Sequence, residues 1–197
     1  MTIKLKLKKN AKKIDKFLLN FLKKQKKSLL ITPMKYGIIS GGKKIRSTII
    51  FDTGKMLKVE EKKLLSVCTA VECIHSYSLI HDDLPCMDND LIRRGKPSTH
   101  KKFGEATAVL AGNSLLTLAF EIISNKKNFL SPKQKNEIIN LLSYCSGHTG
   151  IAGGQELDLK FENKRKKLSQ IIDMQKKKTG KLFNFCIQSV AIIANKN

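Results

Sequence analysis

The feature that most constrains the fold is residues 105–123, a segment that is apolar nearly all round. A surface helix shows one apolar stripe, whereas a helix apolar on every side has to be wrapped by others. The segment therefore predicts a helical bundle with itself at the centre. Ile14, Phe17, Leu18, Phe21 and Leu22 fall at helical spacing, with lysines on the opposite face. Further helices are expected over about residues 43–57 and from about Glu60 toward His81, where Leu64, Val67, Cys68, Val71 and Ile74 form the buried stripe. Ser131-Pro132-Lys133-Gln134 has the form of a helix start, with a capping serine, proline first and glutamine three residues on. Leu168, Ile171, Ile172, Leu182, Phe183, Cys186 and Val190 carry the helical pattern nearly to the end. Pro33 with Gly41-Gly42 reads as a loop, and Gly150, Gly153 and Gly154 read as a break. Residues 4–7 alternate briefly, and no other strand signal appears. The expected fold is all-α, a single domain over residues 1–197. The last helix is still under way at Val190-Ala191-Ile192-Ile193 when the sequence stops, which reads as a domain incomplete at its C-terminus.

Composition excludes several classes of function. No run reaches the ~18–20 apolar residues of a membrane span, and the lysine-studded start lacks the apolar core of a secretory signal. The five cysteines (Cys68, Cys73, Cys86, Cys145, Cys186) form no C-x-x-C pair, so they read as reduced thiols in a cytoplasmic protein. A net charge of +22 suggests nucleic acid, but the lysines are spread along the whole chain and no basic–aromatic patch accompanies them. Against that basic background, four aspartates fall within residues 82–90. So much negative charge in one place asks for a cation.

The acidic run is His81-Asp82-Asp83-Leu84-Pro85-Cys86-Met87-Asp88-Asn89-Asp90, followed by Arg93-Arg94-Gly95. Residues six apart do not share a face of an unbroken helix. Pro85 supplies the break, because it lacks the N–H that would bond the His81 carbonyl, and a bulge there can swing Asp88 back toward Asp82. Paired carboxylates suit magnesium, which takes few protein oxygens and bridges to phosphates. The arginines offer forked donors to phosphate oxygens. Taken alone, the pattern fits an exposed acidic turn equally well. Upstream, Gly41-Gly42-Lys43-Lys44-Ile45-Arg46 puts Lys43 and Arg46 on one face of a starting helix, where phosphate is attracted. His75 lies two helical turns before Asp82, on the same side.

In combination these segments closely resemble the bacterial-type trans-polyprenyl diphosphate synthases, the farnesyl and geranylgeranyl diphosphate synthases. The resemblance runs through G-G-K-x-x-R, H-x-x-x-x-x-H-D-D-L-P-C-M-D, R-R-G-K-P-S-T-H and K-F-G-E-A. It continues into Gly153-Gly154-Gln155-Glu156-Leu157-Asp158 and Lys178-Thr179-Gly180, and covers about residues 41–183. It implies an isoprenoid-synthase helical bundle and condensation of isopentenyl diphosphate with an allylic diphosphate. By the same resemblance Asp82 and Asp88 ligate Mg2+, with Asp83 in support. Arg93, Lys178 and Thr179 grip the allylic diphosphate; Lys43, Arg46, His75 and Arg94 grip isopentenyl diphosphate; Gln155 and Asp158 line the cavity. Product length is set by the residues four and five places before the first aspartate, Ser78 and Tyr77. The bulky Tyr77, with the two-residue insertion in the aspartate motif, points to farnesyl diphosphate over the geranylgeranyl product. A homodimer is the family's usual state.

The sequence also departs from the family. A second aspartate-rich motif is absent from residues 1–197, which keeps an inactive fragment or non-catalytic subunit open as an alternative. Asn113, Lys181, Lys44 and Ser47 stand where other residues are usual. A terpene cyclase would leave Gly41-Gly42-Lys43, Arg46 and His75 without a role. A phosphohydrolase built on His81-Asp82 would need more histidine ligands.

Overall fold

In the computed structural model, which describes residues 2–39 and 41–196, the chain is helical almost throughout. The elements are α1 (Ile3–Lys23), α2 (Ile31–Ile39), α3 (Ile45–Met56), α4 (Glu61–Asp82), a hairpin of β1 (Ile92–Arg93) and β2 (Lys96–Pro97), α5 (Thr99–Phe103) and α6 (Glu105–Ser124). They continue with α7 (Pro132–Ser146), α8 (Ile151–Phe161), α9 (Leu168–Gln175), a π-helical turn (Lys176–Gly180) and α10 (Lys181–Ile193). α4 and α6 share the most extensive packing, and α3 lies against both α4 and α10. Their buried side chains join those of α1, α2 and α7 in one apolar cluster.

The most enclosed helix is α4, not α6. The stripe expected for α4 is buried, but so are Ser66, Thr69, Ala70, Glu72, Cys73 and Ser76 on its other sides. Small or hydrogen-bonded polar residues can be enclosed where apolar spacing does not reveal it: Thr69 donates its hydroxyl to the Leu65 carbonyl at 2.8 Å. α6 buries Ala108, Ala111, Leu115, Leu118, Ala119, Ile122 and Ile123 but leaves Val109 and Leu110 exposed. By length and composition alone α6 would also suffice to cross a membrane, contrary to the expectation that no segment would. Its inner face is part of the apolar cluster.

Three local expectations are corrected. Pro33 lies in the first turn of α2, where a missing N–H removes no helical bond. Residues 4–7 belong to α1, whose hydrophobic stripe outweighs their short alternation. Gly153 and Gly154 open α8 and do not interrupt the chain. The capping box at Ser131 and Gln134 forms as expected. The hairpin gave no periodic signal because each strand has two residues. Its turn is built by Arg94 and Gly95, both at positive φ (54° and 74°), as the tight hairpin turn favoured by right-twisted strands requires.

Candidate active site

The end of α4 builds the acidic part of the site. With no N–H at Pro85, the Leu84 N–H bonds the His81 carbonyl at 3.1 Å and the helix tightens to a stop. The Met87 and Asn89 N–H groups both return to the Leu84 carbonyl. The Asp88 N–H then donates to the Asp82 carbonyl at 2.8 Å, which folds the loop back and brings the two aspartates together. Burial lifts the Asp82 carboxyl to about 6; Asp88 and Asp83 add to the rise, while Lys178 and Arg93 oppose it. Asp83 is buried and turned to the other side, where Arg93 Nε donates to its Oδ1 at 2.9 Å and Arg93 Nη2 also bonds it. Burial outweighs that pairing and keeps the Asp83 carboxyl above its ordinary range. Arg93 Nη2 reaches Asp90 as well, at 2.8 Å.

α8 and the π turn close the acidic side. A β-carbon on Gly154 would stand 2.2 Å from the Lys178 backbone nitrogen, so only glycine lets the two elements approach this closely. Lys178 pairs with Asp158, and Thr179 follows it in the same turn. Gln155 is buried; its Nε2 donates to Asp88 Oδ1 at 3.3 Å, while its Oε1 has no protein partner.

The second part of the site is cationic. Lys43, Lys44, Arg46, Glu72, His75 and Arg94 line a cavity of about 310 Å³ together with Gly41 and Gly42. The left-handed backbone at Arg94 throws its guanidinium against Gly42, where a β-carbon would stand 2.6 Å from Nη1. Arg46 stacks on the Phe183 ring of α10 at 4.8 Å, and its buried Nε lacks a partner. Burial, followed by the positive charges of Arg46 and Arg94, drives His75 down to about 3, so its ring is neutral. Below the aspartates, Tyr77 is buried and its hydroxyl points to the Ser146 carbonyl at 3.4 Å, while its ring meets His81 edge-on. The neighbouring Ser78 spends its hydroxyl on the His75 carbonyl of its own helix.

Asp82, Asp88, Gln155 and Lys178 thus converge on one side, and Lys43, Arg46, His75 and Arg94 on the other. Asp83 and Arg93 support the loop between them. Glu72 was missed by the sequence reading. Its one signal was its position three residues before His75, on the same face of α4.

Among the described residues no three His, Cys, Asp or Glu side chains gather closely enough to hold an ion by themselves. Two crowded, partly buried carboxylates nevertheless fit a hard cation that retains waters and shares phosphate oxygens.

Comparison with known proteins gives the family and the fold. The polyprenyl synthetase family model matches residues 27–197. Farnesyl diphosphate synthase of Buchnera aphidicola subsp. Acyrthosiphon pisum is 46% identical over 91% of this chain and 64% of its own length. For the Bacillus subtilis farnesyl diphosphate synthase the values are 44%, 86% and 56%. A crystal structure of an FPP/GFPP synthase from Zymomonas mobilis superposes with a TM-score of 0.94 at 41% identity, covering 99% of this chain and 72% of that one. The chain therefore spans less than two thirds of the length of these curated relatives.

Proposed function

This chain belongs to the polyprenyl synthetase family, and from that premise we propose that it serves a short-chain prenyltransferase making farnesyl diphosphate. The observation that carries the reading is the fold-back of Asp88 onto Asp82, two turns of α4 (~10 Å) beyond the cationic cavity at His75. Two diphosphates can thereby be held side by side, one at the aspartates and one among the basic side chains.

Asp82 and Asp88 would hold magnesium, which neutralises charge on a departing pyrophosphate. Lys178 and Arg93 add positive charge at the same oxygens. Lys43, Arg46, Arg94 and the neutral His75 orient isopentenyl diphosphate. The allylic C–O bond breaks, the isopentenyl double bond supplies the electrons of the new C–C bond, and a proton leaves to the pyrophosphate. No side-chain nucleophile takes part.

Tyr77 supports the fifteen-carbon product. It lies five residues, or ~7.5 Å of helix rise, before Asp82 and is anchored at both ring and hydroxyl. The exposed apolar pair Val109 and Leu110 on α6 supports a second copy as partner. The reading places the chain in the cytoplasm.

One assay tests the reading: the protein with magnesium, isopentenyl diphosphate and geranyl diphosphate. Farnesyl diphosphate is expected, and Tyr77→Ala should extend the product to twenty carbons. No product would overturn the reading, and a wild-type twenty-carbon product would defeat the role of Tyr77.

A further inference from the structure

The cationic cavity contains an acid. Glu72 is 3% exposed, one turn before His75 on α4. Its Oε1 accepts from the Ser47 backbone N–H at 3.2 Å and from the Ser47 hydroxyl at 2.8 Å. Its Oε2 lies 3.9 Å from Lys44 Nζ. Lys44, itself 5% exposed, occupies the N-cap of α3 in a left-handed conformation (φ 48°). It donates to the Ile38 carbonyl of α2 at 2.7 Å and stands 3.9 Å from Asp15 of α1. Four helices meet at these two side chains.

Helix α3 explains the arrangement. The first N–H groups of a helix have no partner within it, and the N-cap of α3 makes no side-chain capping bond. Glu72 supplies that acceptor from another helix, and its charge suits a helix N-terminus. Electrostatics alone argues against a carboxylate here, because it weakens the attraction of Arg46 and Arg94 for an anion. Its compensating effect is geometric. Lys43 immediately precedes Lys44 and Arg46 immediately precedes Ser47, so each is next in the chain to a clamped residue, and both line the cavity.

We propose that Glu72 is a positioning residue for isopentenyl diphosphate: it fixes the first turn of α3 through Ser47 and Lys44, so that Lys43 and Arg46 face the cavity beside His75 and Arg94. The proposal rests on reading that cavity as the isopentenyl diphosphate site.

Titration calorimetry of the full chain with isopentenyl diphosphate, in magnesium-free buffer, tests it. Glu72→Ala should weaken binding about tenfold, the scale of a misplaced contact, although the variant makes the cavity more positive. Glu72→Gln, whose amide oxygen still accepts from Ser47, should recover part of the loss. Binding of geranyl diphosphate with magnesium should not change, which a general loss of stability would not spare. Equal or tighter isopentenyl diphosphate binding by Glu72→Ala is the result charge alone predicts, and it overturns the proposal. Should Glu72→Ala not fold, Ser47→Ala keeps every charge and should weaken binding about threefold; no change there overturns it too. Amide exchange at Ser47, read without ligand, isolates the clamp: exchange unchanged in Glu72→Ala overturns the proposal whatever the titration gives. Wild-type protein that binds geranyl diphosphate with magnesium but not isopentenyl diphosphate overturns the reading of the cavity, and the proposal with it.

Discussion

At the end of α4 the surplus charge is negative and its carboxylates crowd together, whereas at the start of α3 it is positive and a buried acid is built into it. The acidic loop is held by backbone bonds to Asp82 and Leu84, and Lys178 and Arg93 oppose the charge of Asp82 without outweighing its burial. The cationic cavity is held by side chains, with Glu72 bonded to Ser47 and facing Lys44. On the proposed function, an incoming cation would relieve the repulsion in the loop. The cavity carries its own counter-ion and stands ready for an anion. One helix thus carries part of a crowded acidic site and part of a cationic one that stays net positive around its buried acid.

Separate removal of each part gives the largest effects. Asp82→Asn should lower product formation by about two to three orders of magnitude, as expected for losing a preorganised electrostatic element. It should leave isopentenyl diphosphate binding intact in magnesium-free buffer. Arg46→Ala should do the converse, weakening isopentenyl diphosphate about 10- to 100-fold, the value of a charged hydrogen bond, with little effect on geranyl diphosphate. Steady-state kinetics with each substrate varied, paired with calorimetry, checks both. If the two variants impair both ligands equally, the division into two sites fails.

Much of the acidic half was legible in the sequence, because a proline inside a helix has a single local consequence. Asp82, Pro85 and Asp88 announce their geometry without knowledge of the rest of the fold. The cationic half was legible only in part. Lys43, Arg46 and His75 could be picked out, but Glu72 looks like any acid in a helix until Ser47 and Lys44 are brought to it from another element. The glycines show the same limit: Gly153-Gly154 reads as a break from composition, yet Gly154 serves close packing against a turn more than twenty residues on. For α4 and α6, apolar spacing identified both helices but misjudged which is the more enclosed, because α4 buries serine, threonine and glutamate.

That packing gives a prediction of intermediate size. In Gly154→Ala the new β-carbon would meet the Lys178 backbone at 2.2 Å from N and 2.5 Å from Cα, and backbone cannot rotate aside. Overpacking of this kind costs about 1–3 kcal/mol, or roughly 2–4 °C of melting temperature per kcal/mol for a chain of this size. The π turn should shift with it, so geranyl diphosphate binding with magnesium should fall while isopentenyl diphosphate binding holds. Thermal melts and calorimetry read the two effects. An unchanged melting temperature would mean that α8 and the π turn are not packed as described.

The smallest effect concerns the repulsion stored in the acidic loop. Burial, with Asp88 and Asp83 adding to it, holds the Asp82 carboxyl at about 6 in the folded chain, above its ordinary 3.8. The folded state therefore binds this proton more tightly than the unfolded state does. Stability from this group is present at low pH and is lost as pH rises through about 6. At pH 8 the ionised carboxylate works against folding, by about 1–2 kcal/mol once its partial exposure to solvent is allowed for. Asp82→Asn should thus stabilise the magnesium-free protein by that amount at pH 8 and by little near pH 4, although it removes activity. His75 shifts in the opposite sense but is present in both proteins, so it cancels in the difference. Urea unfolding of the two proteins at both pH values gives the comparison. A variant equally or less stable than wild type at pH 8 would mean that Arg93 and Lys178 already neutralise the loop, leaving no unbalanced charge there to call for a metal.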